Sequence, residues 1–194
     1  DTVRGLWRHM QSEFHSSVIH KRGAPEMEAA ASLLSAGGIP ISRDQFLDSY
    51  ATTIGPRVYI PFDIGVAGRF TLLDQLYLAV HEHDHVAQSR RDGLRYEQLY
   101  MTDSGARAAY EAEAMAAEAE VQYWLTATLP NAYDRVRSLG AYGCTTADIQ
   151  VALEILLSRY ASILSGVRSS EAAHSAITYL QTRTNLRTNG QIQR

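Results

Sequence analysis

The segment 80–86, Val-His-Glu-His-Asp-His-Val, holds the residues whose types and spacing most clearly permit chemistry. His81 and His85 stand four positions apart, so on a helix they share one face, with Cβ atoms roughly 5–6 Å apart. Two imidazoles placed in this way can bind one metal ion, and Glu82 can then accept a proton from a metal-bound water. The pattern predicts a zinc site on a helix, with Glu82 as its general base.

A third protein ligand is needed, because a catalytic zinc site normally takes three and leaves one position for water. The downstream segment Tyr110-Glu111-Ala112-Glu113-Ala114 offers two carboxylates for it. Glu111 and Glu113 differ by roughly 200° around a helix, so only one of them can face the ion. The neighbouring alanines would let this helix pack closely against the motif helix.

Together, segments 81–88 and 110–114 resemble a zincin metallopeptidase of the gluzincin type, and the resemblance covers roughly residues 57–125. In that family a glutamate on a downstream helix completes the zinc site, usually within a Glu-x-x-Ala-Asp/Asn or Glu-x-x-x-Asp pattern. The resemblance implies a compact zincin-like domain with Zn²⁺ as cofactor. It also implies a peptide or protein substrate.

Carried onto this chain, the resemblance implies His81, His85 and Glu111 as zinc ligands, with Glu82 as the catalytic base. One position departs from the family pattern. Met115 stands where the family has an acidic or amide residue that orients a ligand histidine, so that contact must come from elsewhere. Two alternatives follow: a metal-binding scaffold without activity, which Met115 favours, and a helical interaction domain in which the motif is coincidental.

Several further side chains can be assigned secondary roles. Glu118 can hydrogen-bond a ligand or can be a solvated helix charge, and Asp84 is either a surface residue or an acceptor near the site. His83 lies roughly 200° from His81 around the helix, so we expect it to face solvent or to be hydrogen-bonded. A tyrosine often stabilises the oxyanion in such enzymes, and the candidates are Tyr59, Tyr96, Tyr100 and Tyr110.

Apolar periodicity and capping residues predict the helices that must position these groups. They run over about 3–18, 25–36, 42–52, 71–91, 95–101, 106–128, 149–164 and 169–182, and Gly37-Gly38 stops the second of them. The run 57–62 is the only convincing β-like segment, and Pro61 restricts it to a sheet edge or a strand end. In zincins an edge strand beside the metal pairs with extended substrate.

These elements predict a mainly α, α+β fold with a small β element before the motif helix. We expect one metallopeptidase-like domain over residues 1–184 and a polar tail over 185–194. A net charge of −3 gives no general attraction to nucleic acid or to anionic membranes. No apolar run approaches the roughly 20 residues that span a bilayer. Cys144, the lone cysteine, excludes an internal disulfide and leaves the cellular location open.

Overall fold

The computed structural model describes residues 2–36, 42–168 and 170–183. Its helices are α1 (Thr2–Glu13), α2 (Pro25–Ala36), α3 (Arg43–Ser49), α4 (Leu72–Asp92), α5 (Leu94–Thr102), α6 (Ser104–Thr126), α7 (Ala132–Arg137), α8 (Thr146–Leu164) and α9 (Glu171–Arg183), with a short 3-10 helix at Ser138–Tyr142. Its strands are β1 (Ser17–His20), β2 (Thr52–Ile54) and β3 (Arg57–Ile60). The mainly helical α+β class predicted from the sequence is confirmed.

The three strands form one mixed sheet in the order β1-β3-β2. β1 runs parallel to β3, and β2 runs antiparallel to it, with Thr53 opposite Val58. β3 is therefore the central strand, so its predicted edge position is wrong. The predicted strand end is confirmed, because β3 stops at Ile60, directly before Pro61.

The predicted first and third helices extend too far, and each overlaps the start of a strand. The first helix does not continue to Val18: α1 ends at Glu13, and His15 turns the chain with a φ of 48° before β1 begins. The third helix does not reach Thr52, because α3 ends at Ser49 and β2 follows. Strands this short carry little periodic signal and exist because β3 pairs with them on both sides.

The motif helix α4 begins with a capping box, a local signal that fixes where its first turn lies. The Thr71 side chain accepts a hydrogen bond from the Asp74 backbone, and Asp74 accepts one from the Thr71 backbone in return. Thr145 and Asp148 cap α8 in the same way. Among the described residues, no helix combines the length and apolar character that crossing a membrane requires. The Gly37-Gly38 stop, the start at Ser169 and the 185–194 tail lie outside the described residues.

Two apolar clusters hold α4 and α6 in place. The first joins α1, the sheet, α4 and α9, and in it the Trp7 indole N–H donates to the Gln75 carbonyl over 3.0 Å. The second lies between α6, α7 and α8, where alanines of α6 meet Ala152 and Leu156. On its other side, α6 places the small side chain of Ala117 in the first cluster beside α4, so the two helices can approach closely.

Leu156 tests the second cluster, because it is completely buried whereas its neighbour Leu157 is 51% exposed. We expect Leu156→Ala to lower the free energy of unfolding by about 2–5 kcal/mol, through lost transfer energy and a residual cavity. Leu157→Ala should change it by no more than about 0.5 kcal/mol. Urea unfolding of the two variants measures both values, and equal effects would contradict this description of the core.

Candidate metal centre

Three side chains on α4 and α6 converge on one point. The Nε2 atoms of His81 and His85 each lie 3.4 Å from an oxygen of Glu111. One ligand atom from each residue lies within 4.8 Å of the others, so the group could hold a metal ion. The two imidazole rings are nearly perpendicular, with centroids 4.8 Å apart. Both nitrogens and the carboxylate are therefore presented to a shared point.

Of the two carboxylates that the sequence offered, Glu111 faces the histidines and Glu113 faces away from them. The Glu113 carboxylate lies 3.3 Å from the guanidinium of Arg91 and 3.2 Å from that of Arg159. The Glu111 side chain is only 4% exposed. A buried carboxylate is costly unless it is paired, and the two histidines, together with the Tyr100 hydroxyl that donates to Glu111 Oε1, supply the pairing.

Electrostatics in this group link the protonation of the three side chains. Burial alone would lower the pKa of His81, but the carboxylates of Glu111 and Glu118 outweigh it and raise that pKa to about 10. The pKa of His85 is also raised, because Glu111 outweighs its burial. Burial would raise the pKa of Glu111, but the two histidines hold it well below its usual range. A cation that binds here would take the place of protons on the imidazoles.

The orientation of His85 is set by Gln88, one turn further along α4. The His85 Nδ1–H donates to Gln88 Oε1 over 2.8 Å, which leaves Nε2 directed at Glu111. Gln88 is itself fixed, because its Nε2 donates to the Tyr110 carbonyl over 2.9 Å and to Asp84 over 3.2 Å. Asp84 is thus a buried acceptor near the site, and its surface alternative is wrong. Such outer contacts fix a ligand's tautomer and raise its basicity.

Glu118, three residues beyond the position that the family pattern uses, is the carboxylate beside the second ring nitrogen of His81. Glu118 Oε2 lies 3.6 Å from His81 Nδ1 and pairs with the guanidinium of Arg135. Glu118 is buried, so the solvated alternative is wrong. Met115 lies in the apolar cluster between α6 and α8. Glu118, about one helical turn beyond Met115, therefore places a carboxylate beside His81 where Met115 has none.

Glu82 lies on the side of α4 that faces the sheet. The Thr53 hydroxyl donates to Glu82 Oε2 over 2.7 Å, so β2 fixes the orientation of this carboxylate. A cleft of about 520 Å³ opens over Glu82, His81 and Glu111. A proton acceptor and a candidate metal group therefore border the same space.

The tyrosines that border this cleft are not those that the sequence analysis named. Tyr59 donates to Glu26, Tyr110 donates to Asp92, and Tyr96 packs against the His85 ring. Tyr100 is near the site, but it binds the Glu111 carboxylate. The cleft is lined instead by Tyr50, Tyr77 and Tyr142. Tyr142 comes from the short 3-10 helix, far from the motif in sequence, so no local pattern could have identified it.

His83, the central histidine of the motif, faces the core. It is completely buried, its Nδ1–H donates to the Ala79 carbonyl over 2.6 Å, and the Ser16 hydroxyl donates to its Nε2 over 2.9 Å. Burial lowers its pKa to about 4, so it is neutral. The hydrogen-bonded alternative is confirmed and the solvent-facing one is wrong. His83 joins α4 to the turn after α1 and does not contact the metal group.

Comparison with known proteins adds no family to this description. A scan against family models, a search of curated proteins and a search of solved structures found no match. The chemistry of the chain must therefore be inferred from the site itself, whose features are a His81–His85–Glu111 group, an adjacent carboxylate and a cleft that borders both.

Replacing each of the two candidate carboxylates tests which one binds metal. We expect Glu111→Ala to weaken Zn²⁺ binding by more than the roughly 10- to 100-fold that loss of an outer contact causes, because a ligand itself is removed. Glu113→Ala should weaken it by about 10-fold or less, since Glu113 contacts the site through Gln88, whose Nε2 donates to its carboxylate over 3.3 Å. Competition titration with a chromophoric chelator measures both affinities. Loss of binding in Glu113→Ala alone would contradict the geometry described here.

Proposed function

We propose that this protein is a zinc-dependent metallopeptidase that hydrolyses peptide bonds with a zinc-activated water. The observation that carries the proposal is the convergence of His81, His85 and Glu111 beside a cleft that Glu82 also lines. Two histidines and one glutamate form a known ligand set of catalytic zinc, with one position left for water. The Glu118 contact to His81 supports an active site over an inactive scaffold, and the convergence of the three candidate ligands argues against a coincidental motif.

His81, His85 and Glu111 would hold the zinc, which supplies an acidified water and polarises a carbonyl when bound. The Glu82 carboxylate accepts the proton of the attacking water and transfers it to the leaving amine. Thr53 holds Glu82 Oε2, so the carboxylate keeps one orientation during both transfers. Gln88 and Glu118 keep the imidazoles directed at the metal position.

Tyr142 is the candidate donor to the oxyanion that forms on the substrate carbonyl. It lines the cleft, and its ring packs edge-on against Tyr50 with centroids 5.6 Å apart. Burial raises the pKa of Tyr142 well above its ordinary value, and the charges of Glu111 and Glu82 raise it further. The phenol therefore stays protonated and can donate to a developing negative charge.

The expected substrate is an extended peptide. In the described part of the chain, β2 is hydrogen-bonded to a neighbouring strand on one side only, and its other edge is where an extended peptide would pair. Tyr50 and Ala51, directly before β2, line the cleft, so a peptide paired to β2 would run along it. Phe70, Leu78 and Met115 also line the cleft and provide contacts for apolar side chains.

Glu82→Gln tests the general base. The amide oxygen of glutamine can still accept from Thr53, so we expect the variant to fold and to keep one equivalent of zinc. Its turnover of a fluorogenic peptide library should fall roughly 10²- to 10⁴-fold, the usual contribution of a general base. Zinc content by elemental analysis is the control. A zinc-loaded native protein without turnover, or a variant as active as the native protein, would overturn the proposal.

Tyr142→Phe tests the oxyanion donor. We expect kcat to fall roughly 10²- to 10³-fold, as when one oxyanion donor is removed, with KM and zinc affinity unchanged. Tyr59→Phe is the matched control, because its hydroxyl binds Glu26 outside the cleft. Equal kcat values for the Tyr142 variant and the control would exclude Tyr142 from this role.

A further inference from the structure

Lys21 is the only lysine among the 18 lysine and arginine residues of this chain, and it is completely buried. It follows β1, and its backbone N–H donates to the Ile60 carbonyl over 2.8 Å, which extends the pairing of β1 with β3. Lysine is almost never fully buried unless it is paired. The buried ammonium group of Lys21 therefore requires polar partners within the fold.

Two hydrogen bonds join the Lys21 ammonium to the segment 50–52. Its Nζ donates to the Tyr50 carbonyl over 3.0 Å and to the Thr52 hydroxyl over 2.6 Å. It also lies 3.5 Å from the centroid of the Phe46 ring, a favourable cation–π position. Tyr50 lines the metal cleft, and Thr52 is the first residue of β2. The buried Lys21 ammonium therefore stabilises both Tyr50, which lines the cleft, and β2, an edge strand of the sheet.

The next residue, Thr53, connects this anchor to the proposed base. Its hydroxyl holds Glu82 Oε2, and the Glu82 charge also acts on the Lys21 ammonium, raising its pKa. We propose that Lys21 is a positioning residue for Glu82, because it fixes the strand whose Thr53 orients that carboxylate. Lys21 does not line the cleft, so it acts through β2 and not on a substrate. The inference rests on the proposed function.

A lysine suits this buried position better than an arginine, although arginine is the other basic residue throughout this chain. Burial lowers the pKa of Lys21 to about 7, against the opposing effect of Glu82, whereas an arginine could not lose its proton. Among the described residues of α2 and α3, the carboxylates are paired elsewhere: Asp44 and Asp48 with Arg22, Glu28 with Arg43, and Glu26 with the Tyr59 hydroxyl. Glu82 of α4 is the charge that acts on Lys21.

Protonation of Lys21 then controls how firmly the strand is held. Below about pH 7 the ammonium makes charge-assisted hydrogen bonds, which are roughly twice as strong as neutral ones. As the pH rises through the Lys21 pKa, the neutral amine holds Tyr50 and Thr52 less firmly. The orientation of Glu82 should therefore become less fixed as the pH rises, and not as it falls.

A single lysine allows a direct experiment, because ¹³C-lysine labelling gives one side-chain signal. In the zinc-loaded protein we expect Lys21 to titrate near pH 7, and its pKa to fall in Glu82→Gln because an attractive charge is lost. Thr52→Val, which removes one partner without removing the lysine, should also lower it. A titration near 10.5, the ordinary value for lysine, or a pKa that Glu82→Gln leaves unchanged, would overturn the proposal.

Kinetics separate this role from a purely structural one. In Lys21→Met we expect kcat to fall roughly 10- to 100-fold through misplacement of the base, while KM and zinc affinity are kept. The alkaline decline of kcat above about pH 7 should disappear in this variant. If Lys21→Met does not fold, Thr52→Val takes its place, and its alkaline decline should begin at lower pH. A native pH profile in either variant would contradict the proposal.

The two proposals fail in different ways. If the zinc-loaded native protein cleaves no peptide, the proposed peptidase function is wrong, and Lys21 has no reaction to support. The lysine signal then still decides whether Lys21 and Glu82 are coupled. If peptides are cleaved but the lysine titrates independently of Glu82, the peptidase stands and the positioning role is wrong.

Discussion

The packing of α6 against α4 is the constraint on which the site depends. It places the Glu111 carboxylate, almost fully buried, 3.4 Å from the Nε2 atoms of His81 and His85. Neither helix could offer this group alone, because a carboxylate buried without partners is unstable and two histidines are too few to close a catalytic metal site. Ala117 of α6 lies in the apolar cluster that includes α4, and a second apolar cluster packs the opposite side of α6 against α8.

The contacts that orient the two histidines also depend on the packing of α6 against α4. Gln88 of α4 can hold His85 because the Tyr110 carbonyl of α6 holds Gln88, and Glu118 of α6 reaches His81 from the other side. The sheet contributes separately, since β2 orients Glu82 through Thr53 and is itself fastened by Lys21. The metal group is therefore built by two helices, and the proposed base is oriented by a strand. The candidate metal group and the proposed base can thus be perturbed independently.

Residue spacing predicted the parts of this arrangement that are local. The motif helix, its two histidines and the helix that carries Glu111 all follow from periodicity over a single element. Features that depend on contacts between distant segments were not predicted or were predicted wrongly. They are the strands β1 and β2, the burial of His83 and the position of Tyr142 in the cleft lining. For Glu118 the sequence left two alternatives, a hydrogen bond to a ligand and a solvated helix charge. Helical spacing gives the direction of a side chain but not the depth at which a neighbouring helix buries it. Contacts between segments that are distant in the sequence determine each of these features.

X-ray absorption at the zinc edge tests the central claim most directly, because it reports the ligands around the metal without requiring a substrate. We expect one tightly bound zinc per chain, surrounded by two imidazole nitrogens at about 2.0–2.1 Å and oxygen ligands at about 2.0–2.2 Å from a carboxylate and water. A spectrum without imidazole scattering, or a protein that retains no zinc after dialysis against metal-free buffer, would contradict it.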